Sequence, residues 1–145
     1  MVLKIKKAER IHNTLTYRVE KKIIDWILRR LPDFVTPDSL TILGLLAGIG
    51  VGLSYYMSQF NSFYLILCNF FLLMNWFGDS LDGGLARFRK KTRERYGYYL
   101  DHITDTFVLL FVLLGVSFSG LIPTSTGLFL LILYYIASIN TYLTA

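Results

Sequence analysis

Residues 39–78 read SLTILGLLAGIGVGLSYYMSQFNSFYLILCNFFLLMNWFG and contain no Asp, Glu, Lys or Arg. A second charge-free stretch runs from Thr106 to Ala145. One helical membrane crossing takes about 20 residues, so each stretch is long enough for two. The first divides at the uncharged polar turn Ser58-Gln59-Phe60-Asn61-Ser62, the second at Ser119-Gly120-Leu121-Ile122-Pro123-Thr124. Four crossings follow: Leu40 to Tyr56, Phe63 to about Gly78, about Tyr98 to Phe118, and about Gly127 to Leu143.

Composition agrees with an all-α integral membrane protein. Of 145 residues, 54% are hydrophobic and 17% charged, against about 25% charged in a soluble domain. That excludes an ordinary soluble domain, a disordered tail and a nucleic-acid module with a basic surface, so no nucleic-acid partner is expected. The single cysteine, Cys68, lies within an apolar run, which leaves no disulfide framework and no Cys-based metal site.

Charge has a position as well as a sum. Nine of the fifteen Lys and Arg lie between Lys4 and Arg30, and the other six between Arg87 and Arg95. Basic short segments stay on the cytoplasmic side, and an even number of crossings separates the two, so both fall on that side together. In the first segment apolar residues return at Ala8, Ile11, Leu15, Val19, Ile23, Ile27 and Leu31, the spacing of an amphipathic helix. Residues 1–33 are expected to lie in the membrane interface, with Trp26 at the depth where indole rings concentrate; the bland alternative is a helix packed on another domain. Pro32 and Pro37 end that helix, and Thr36 is suited to cap the next, with Pro37 at its first position. Residues 34–145 form the transmembrane domain.

Asp79, Asp82, Asp101 and Asp105 stand at the cytoplasmic ends of two hydrophobic helices, where an ionisable group is costly and by default functional. Asp79 and Asp82 are three residues apart, Asp101 and Asp105 four, and either spacing puts the pair on one helix face. Four facing carboxylates repel unless a divalent cation joins them, and oxygen-only ligands suit Mg²⁺, Mn²⁺ or Ca²⁺. Gly83, Ala86 and Gly97 leave room for a ligand beside these acids, and the Arg87 guanidinium suits phosphate oxygens. Gly83 and Gly84 also fit simple helix packing. Arg89, Lys90, Lys91, Arg93 and Arg95 fit a topology signal, Asp38 a dipole-favoured acid at a helix start, and Tyr96, Tyr98 and Tyr99 an aromatic belt. His102 points off the Asp101/Asp105 face.

At these residues the chain resembles the CDP-alcohol phosphotransferase (CDP-alcohol phosphatidyltransferase) family of membrane enzymes. The family pattern is D-x-x-D-G-x-x-A-R, a spacer, then G-x-x-x-D-x-x-x-D, matched by Asp79, Asp82, Gly83, Ala86, Arg87, Gly97, Asp101 and Asp105. Thr36, Pro37 and Thr41 resemble the family's entry to its first crossing. The spacer of nine residues is one longer than usual, and Asp38 stands where the family usually has Asn. Members usually have six crossings, so the last two are expected to be absent from this chain or supplied by another subunit. The resemblance implies displacement of CMP from a CDP-linked donor, with CDP-diacylglycerol favoured, by a small alcohol. It implies two Mg²⁺ or Mn²⁺ ions held by Asp79, Asp82 and Asp101 with Asp105 at the edge, and Asp105 as general base. A CDP pocket would be formed by Asp82, Gly83, Ala86, Arg87 and Gly97, and a homodimer is expected. The acceptor stays open among serine, inositol phosphate, glycerol phosphate, ethanolamine and choline. Two other readings stay in view: a polyprenyl-transferring membrane enzyme, whose acidic motifs usually lie further apart, and a non-catalytic divalent-cation-binding membrane protein.

Overall fold

The computed structural model describes residues 15–144. All five elements are helices: α1 (Leu15–Leu28), α2 (Pro37–Met57), α3 (Phe63–Phe88), α4 (Glu94–Phe118) and α5 (Thr124–Thr144). The last four are long and apolar enough to cross a membrane, in the order and number expected. Ala8, Ile11 and His12 lie outside the described residues. The second crossing does not stop at Gly78: α3 runs for 26 residues to Phe88, about 39 Å at 1.5 Å per residue. The motif from Asp79 to Arg87 is therefore the last turns of a membrane helix.

The start of α2 is set by its cap. Thr36 Oγ1 accepts from Ser39 N at 3.1 Å, and Ser39 Oγ accepts from Thr36 N at 3.0 Å. This reciprocal box satisfies two backbone donors, with Pro37 in the first turn, where its missing N–H costs nothing.

α2 is the central helix. Half of its apolar window is buried, against 17% for α3, 11% for α4 and 6% for α5. It packs against both α3 and α4, while α5 packs on α4 and α1 on α3. Small residues make this possible, because lipid-embedded helices associate through close backbone approach. A Cβ on Gly78 of α3 would lie 2.6 Å from the Leu40 carbonyl oxygen and 2.7 Å from Gly44 N. Two turns deeper, a Cβ on Gly115 of α4 would overlap the Gly52 carbonyl. Asn75 Nδ2 adds an interhelical hydrogen bond to the Gly44 carbonyl at 2.9 Å.

α1 docks on the motif end of α3. Its Leu28 forms a buried cluster with Leu40, Leu81 and Leu85, flanked by Ile24, Ile27 and Leu31. The docked stripe thus follows the 3.6-residue period through Ile24, Ile27, Leu28 and Leu31. Ile23, expected on that stripe, is 47% exposed because a strict four-residue step drifts off the face. Trp26 is exposed on the side away from α3, under the Arg30 guanidinium at 4.0 Å.

Arg89 ties the α1–α2 connection down, a role beyond a topology signal. Its guanidinium donates to the carbonyls of Pro32 at 2.8 Å, Asp33 at 3.3 Å and Leu31 at 3.4 Å, and to that of Val35. Its side chain is only 17% exposed. Arg89→Ala is expected to destabilise the protein by about 2 kcal/mol, since several charge-assisted bonds to backbone carbonyls are lost together. Arg89→Lys recovers little of it, because a point charge lacks the planar fork. Thermal unfolding in detergent, with protease nicking of the 29–36 connector, checks both.

Candidate active site

Two helices supply the carboxylates, and α2 sets where they meet. α3 and α4 each pack on α2 far more than on each other, so the acids come together beside its first turns. Oxygens of Asp79, Asp101 and Asp105 lie within 4.8 Å of one another. Ligands of one Mg²⁺ at about 2.1 Å stand roughly 3 to 4 Å apart. The three-carboxylate group therefore fits a hard divalent cation after a small closure, and its all-oxygen chemistry suits one.

Asp82 borders the same narrow gap as Asp79 and Asp105 but hydrogen-bonds toward α2. One of its oxygens accepts from Thr41 Oγ1 at 2.5 Å and the other from its neighbour's amide, Gly83 N, also at 2.5 Å. Thr41 Oγ1 lies 3.2 Å from the Pro37 carbonyl as well, but one hydroxyl proton serves one short bond, and the carboxylate is the stronger acceptor. The structure thus groups three of the four predicted acids and links the fourth to α2.

Beside the acids is a cleft of about 140 Å³ whose lining includes Thr41, Asp82, Gly83, Ala86, Gly97 and Asp101, and also Asp38, Lys91, Arg93 and Tyr96. A Cβ on Gly97 would meet nothing within 4 Å, so its missing side chain is open space rather than packing. Gly84 does the reverse: it is buried, and its added Cβ would touch Leu28 at 3.3 Å. Arg87 does not line this cleft. It borders a groove between α1 and α3 with Lys21, Asp25 and Ser80. Asp105 faces a second cleft, of about 270 Å³, between α4 and α5, with His102, Thr106, Tyr134, Ser138 and Tyr142. His102 is held by its Nδ1 at 2.9 Å from the Tyr98 carbonyl and lies against the rings of Tyr98 and Tyr142.

Two contacts at the first cleft were not legible in the sequence. Arg93 Nη2 donates to both oxygens of Asp38, at 2.6 and 2.8 Å, and its guanidinium lies 4.3 Å from the Tyr96 ring centre. The hydrogen bond to Asp38 holds the Arg93 guanidinium above its ordinary pKa. No local pattern announces a contact across 55 positions. The α2 glycines at four-residue spacing, Gly44, Gly48 and Gly52, were a readable signal for close helix packing.

Four membrane-length helices with converging carboxylates at one end define a polytopic membrane protein with an acidic, cation-suited site. The chain belongs to the CDP-alcohol phosphatidyltransferase family, whose model matches residues 34–144; that family uses divalent metals. An archaetidylinositol phosphate synthase of Pyrococcus horikoshii is 31% identical over 104 residues, covering 72% of this chain and 52% of that protein. An uncharacterized protein of Aquifex aeolicus is 36% identical over 107 residues, covering 72% of this chain and 50% of its own length. The chain therefore spans about half the length of the curated relatives it matches. No solved structure matches it.

Proposed function

We propose that residues 34–145 carry out transfer of a substituted phosphate, phosphatidyl first among candidates, from a CDP-linked donor to an alcohol, releasing CMP. The observation that carries this reading is the convergence of Asp79, Asp101 and Asp105 from two helices beside a cleft floored by Gly83, Ala86 and Gly97. Bound divalent cations supply charge neutralisation and Lewis acidity at the transferring phosphate. Asp79, Asp101 and Asp105 would hold them together with Asp82, which Thr41 fixes where it also borders the nucleotide. Gly83, Ala86 and Gly97 admit the nucleoside where side chains would block it, while Arg87 supports this wall of α3 from the α1 side. The acceptor oxygen bonds to the lipid-bearing phosphorus, the bond from that phosphorus to the CMP oxygen breaks, and the acceptor proton passes to Asp105. The acceptor enters from the α4–α5 cleft, the side of Asp105 away from the nucleotide. The Lys and Arg residues of the N-terminal arm and of the α3–α4 connection support a cytoplasmic position for this face.

Purified protein in nanodiscs, given CDP-diacylglycerol and a panel of alcohols, tests the reading. Inositol phosphate heads the panel, because the Pyrococcus relative is named for such a product. CMP release is expected with Mg²⁺ or Mn²⁺ and is expected to vanish with EDTA, with the lipid product identified by mass spectrometry. Mn²⁺ binding without CMP release from any CDP-linked lipid or CDP-linked head group favours the non-catalytic reading instead.

A further inference from the structure

The groove between α1 and α3 opens on a different face of α3 from Asp79 and Asp82. At about 640 Å³ it is larger than either cleft beside the carboxylates, and it falls in the range of small-molecule sites, roughly 300–1,000 Å³. Its closed side is the crossing at Gly84, where the missing side chain lets α1 approach: a Cβ there would stand 3.3 Å from Leu28 and 3.6 Å from Ile24.

Four charged side chains line the groove: Glu20, Lys21 and Asp25 from α1 and Arg87 from α3. Their charges sum to zero. Among the described residues none of the four makes an ion pair or a side-chain hydrogen bond, whereas Arg89 and Arg93, just beyond Arg87 in the chain, both find protein partners. An anion alone in this groove would meet like charge at Glu20 and Asp25, and a cation alone would meet it at Lys21 and Arg87. A ligand carrying both signs satisfies all four. Lys21 and Asp25 lie on one side of α1, about 6 Å apart along its axis, and the two-carbon bridge from phosphate to amine in a phosphoethanolamine group spans that step. Ile24, Leu28 and Phe88 form the apolar part of the lining, and α3 continues from here into its membrane-length apolar segment. Apolar walls leading from charged groups into the bilayer suit a headgroup that brings acyl chains with it rather than a free phosphate ester.

We infer that the α1–α3 groove holds the headgroup of a resident aminophospholipid, a zwitterionic lipid that is not the reacting donor. Arg87 and Lys21 donate to its phosphate oxygens, Arg87 through its planar fork. Asp25 and Glu20 accept from its ammonium group. The lipid then fills the space between α1 and α3 beyond their contact at Gly84 and ties the interfacial helix to the end of α3 that carries the acidic motif.

The test is native mass spectrometry of the whole chain released from nanodiscs made of equal parts phosphatidylethanolamine, phosphatidylglycerol and phosphatidylcholine. Wild type is expected to retain one phosphatidylethanolamine per chain, favoured about fivefold or more over either other lipid, because phosphatidylglycerol has no ammonium group and phosphatidylcholine has no N–H to donate. The double variant Glu20→Gln, Asp25→Asn is expected to lose the preference over phosphatidylglycerol. Lys21→Gln is expected to cut retention of phosphatidylethanolamine about threefold or more. Wild-type Mn²⁺ binding confirms that each variant is folded, and if one fails to fold the other decides. Saturating CDP-diacylglycerol with Mg²⁺ should leave the retained phosphatidylethanolamine in place. Equal retention of the three lipids, preference for another of them, an unchanged pattern in a folded variant, or displacement by the CDP-linked lipid overturns the inference. CMP release is read separately, so the phosphotransfer reading stands or falls on its own.

Discussion

Asp105→Asn is expected to slow CMP release by about 10²- to 10⁴-fold, the range for loss of a positioned general base, at saturating Mn²⁺. Asparagine keeps the shape of the side chain and one ligand oxygen but accepts no proton from an alcohol. Asp105 belongs to the three-carboxylate group, so some weakening of Mn²⁺ affinity accompanies the change. The two roles separate in one titration. If Asp105 only holds cation, raising Mn²⁺ restores turnover; if it takes the proton, turnover stays low on a saturated site. Asp101→Asn gives the contrast, because Asp101 borders the nucleotide cleft rather than the α4–α5 cleft, and its defect should recover in part with added metal. Normal turnover by Asp105→Asn sinks the assignment of the base.

Gly115→Ala, far from the carboxylates, is expected to damage the protein nearly as much. The nearest atoms to the new methyl all belong to the Gly52 backbone. No rotamer change relieves that contact, so α2 and α4 must move apart, at a cost near the upper end of the usual 1–3 kcal/mol for overpacking. Moving α4 off α2 also moves Asp101 and Asp105 relative to Asp79, since α2 is what joins α3 to α4. Lower thermal stability together with weaker Mn²⁺ binding is the expected result. Gly97→Ala is the matched control: its methyl meets nothing within 4 Å, and alanine favours helix. It should leave unfolding unchanged and weaken CMP binding, because the space it fills is the cleft. Equal stability of Gly115→Ala and wild type would remove the close crossing of α2 and α4 as a requirement of the fold.

Much of this protein was readable before any coordinates. Charge-free stretches around Ser58 and Gly120 count the crossings, because a charge in lipid is too costly to hide. The i, i+3 and i, i+4 spacings put each pair of acids on one side of its helix, because the helical period is fixed. Thr36 and Pro37 mark the start of α2 for the same local reason. These features need only a residue's near neighbours or its solvent.

What the residue order left open depends on contacts between distant positions. Asp82 differs from Asp79 only in which partner its carboxylate meets, and Thr41, on another helix, decides that. Arg89 and Arg93 look alike in a basic loop, yet one clamps the carbonyls before α2 and the other pairs with Asp38. The two motif helices are consecutive in the chain, but they meet through α2, whose glycines let both backbones come close. Helix period and hydrophobicity determine what each segment is. Which side chains end up within hydrogen-bonding reach is settled only when the segments pack, because a shift of one residue in that packing exchanges every partner.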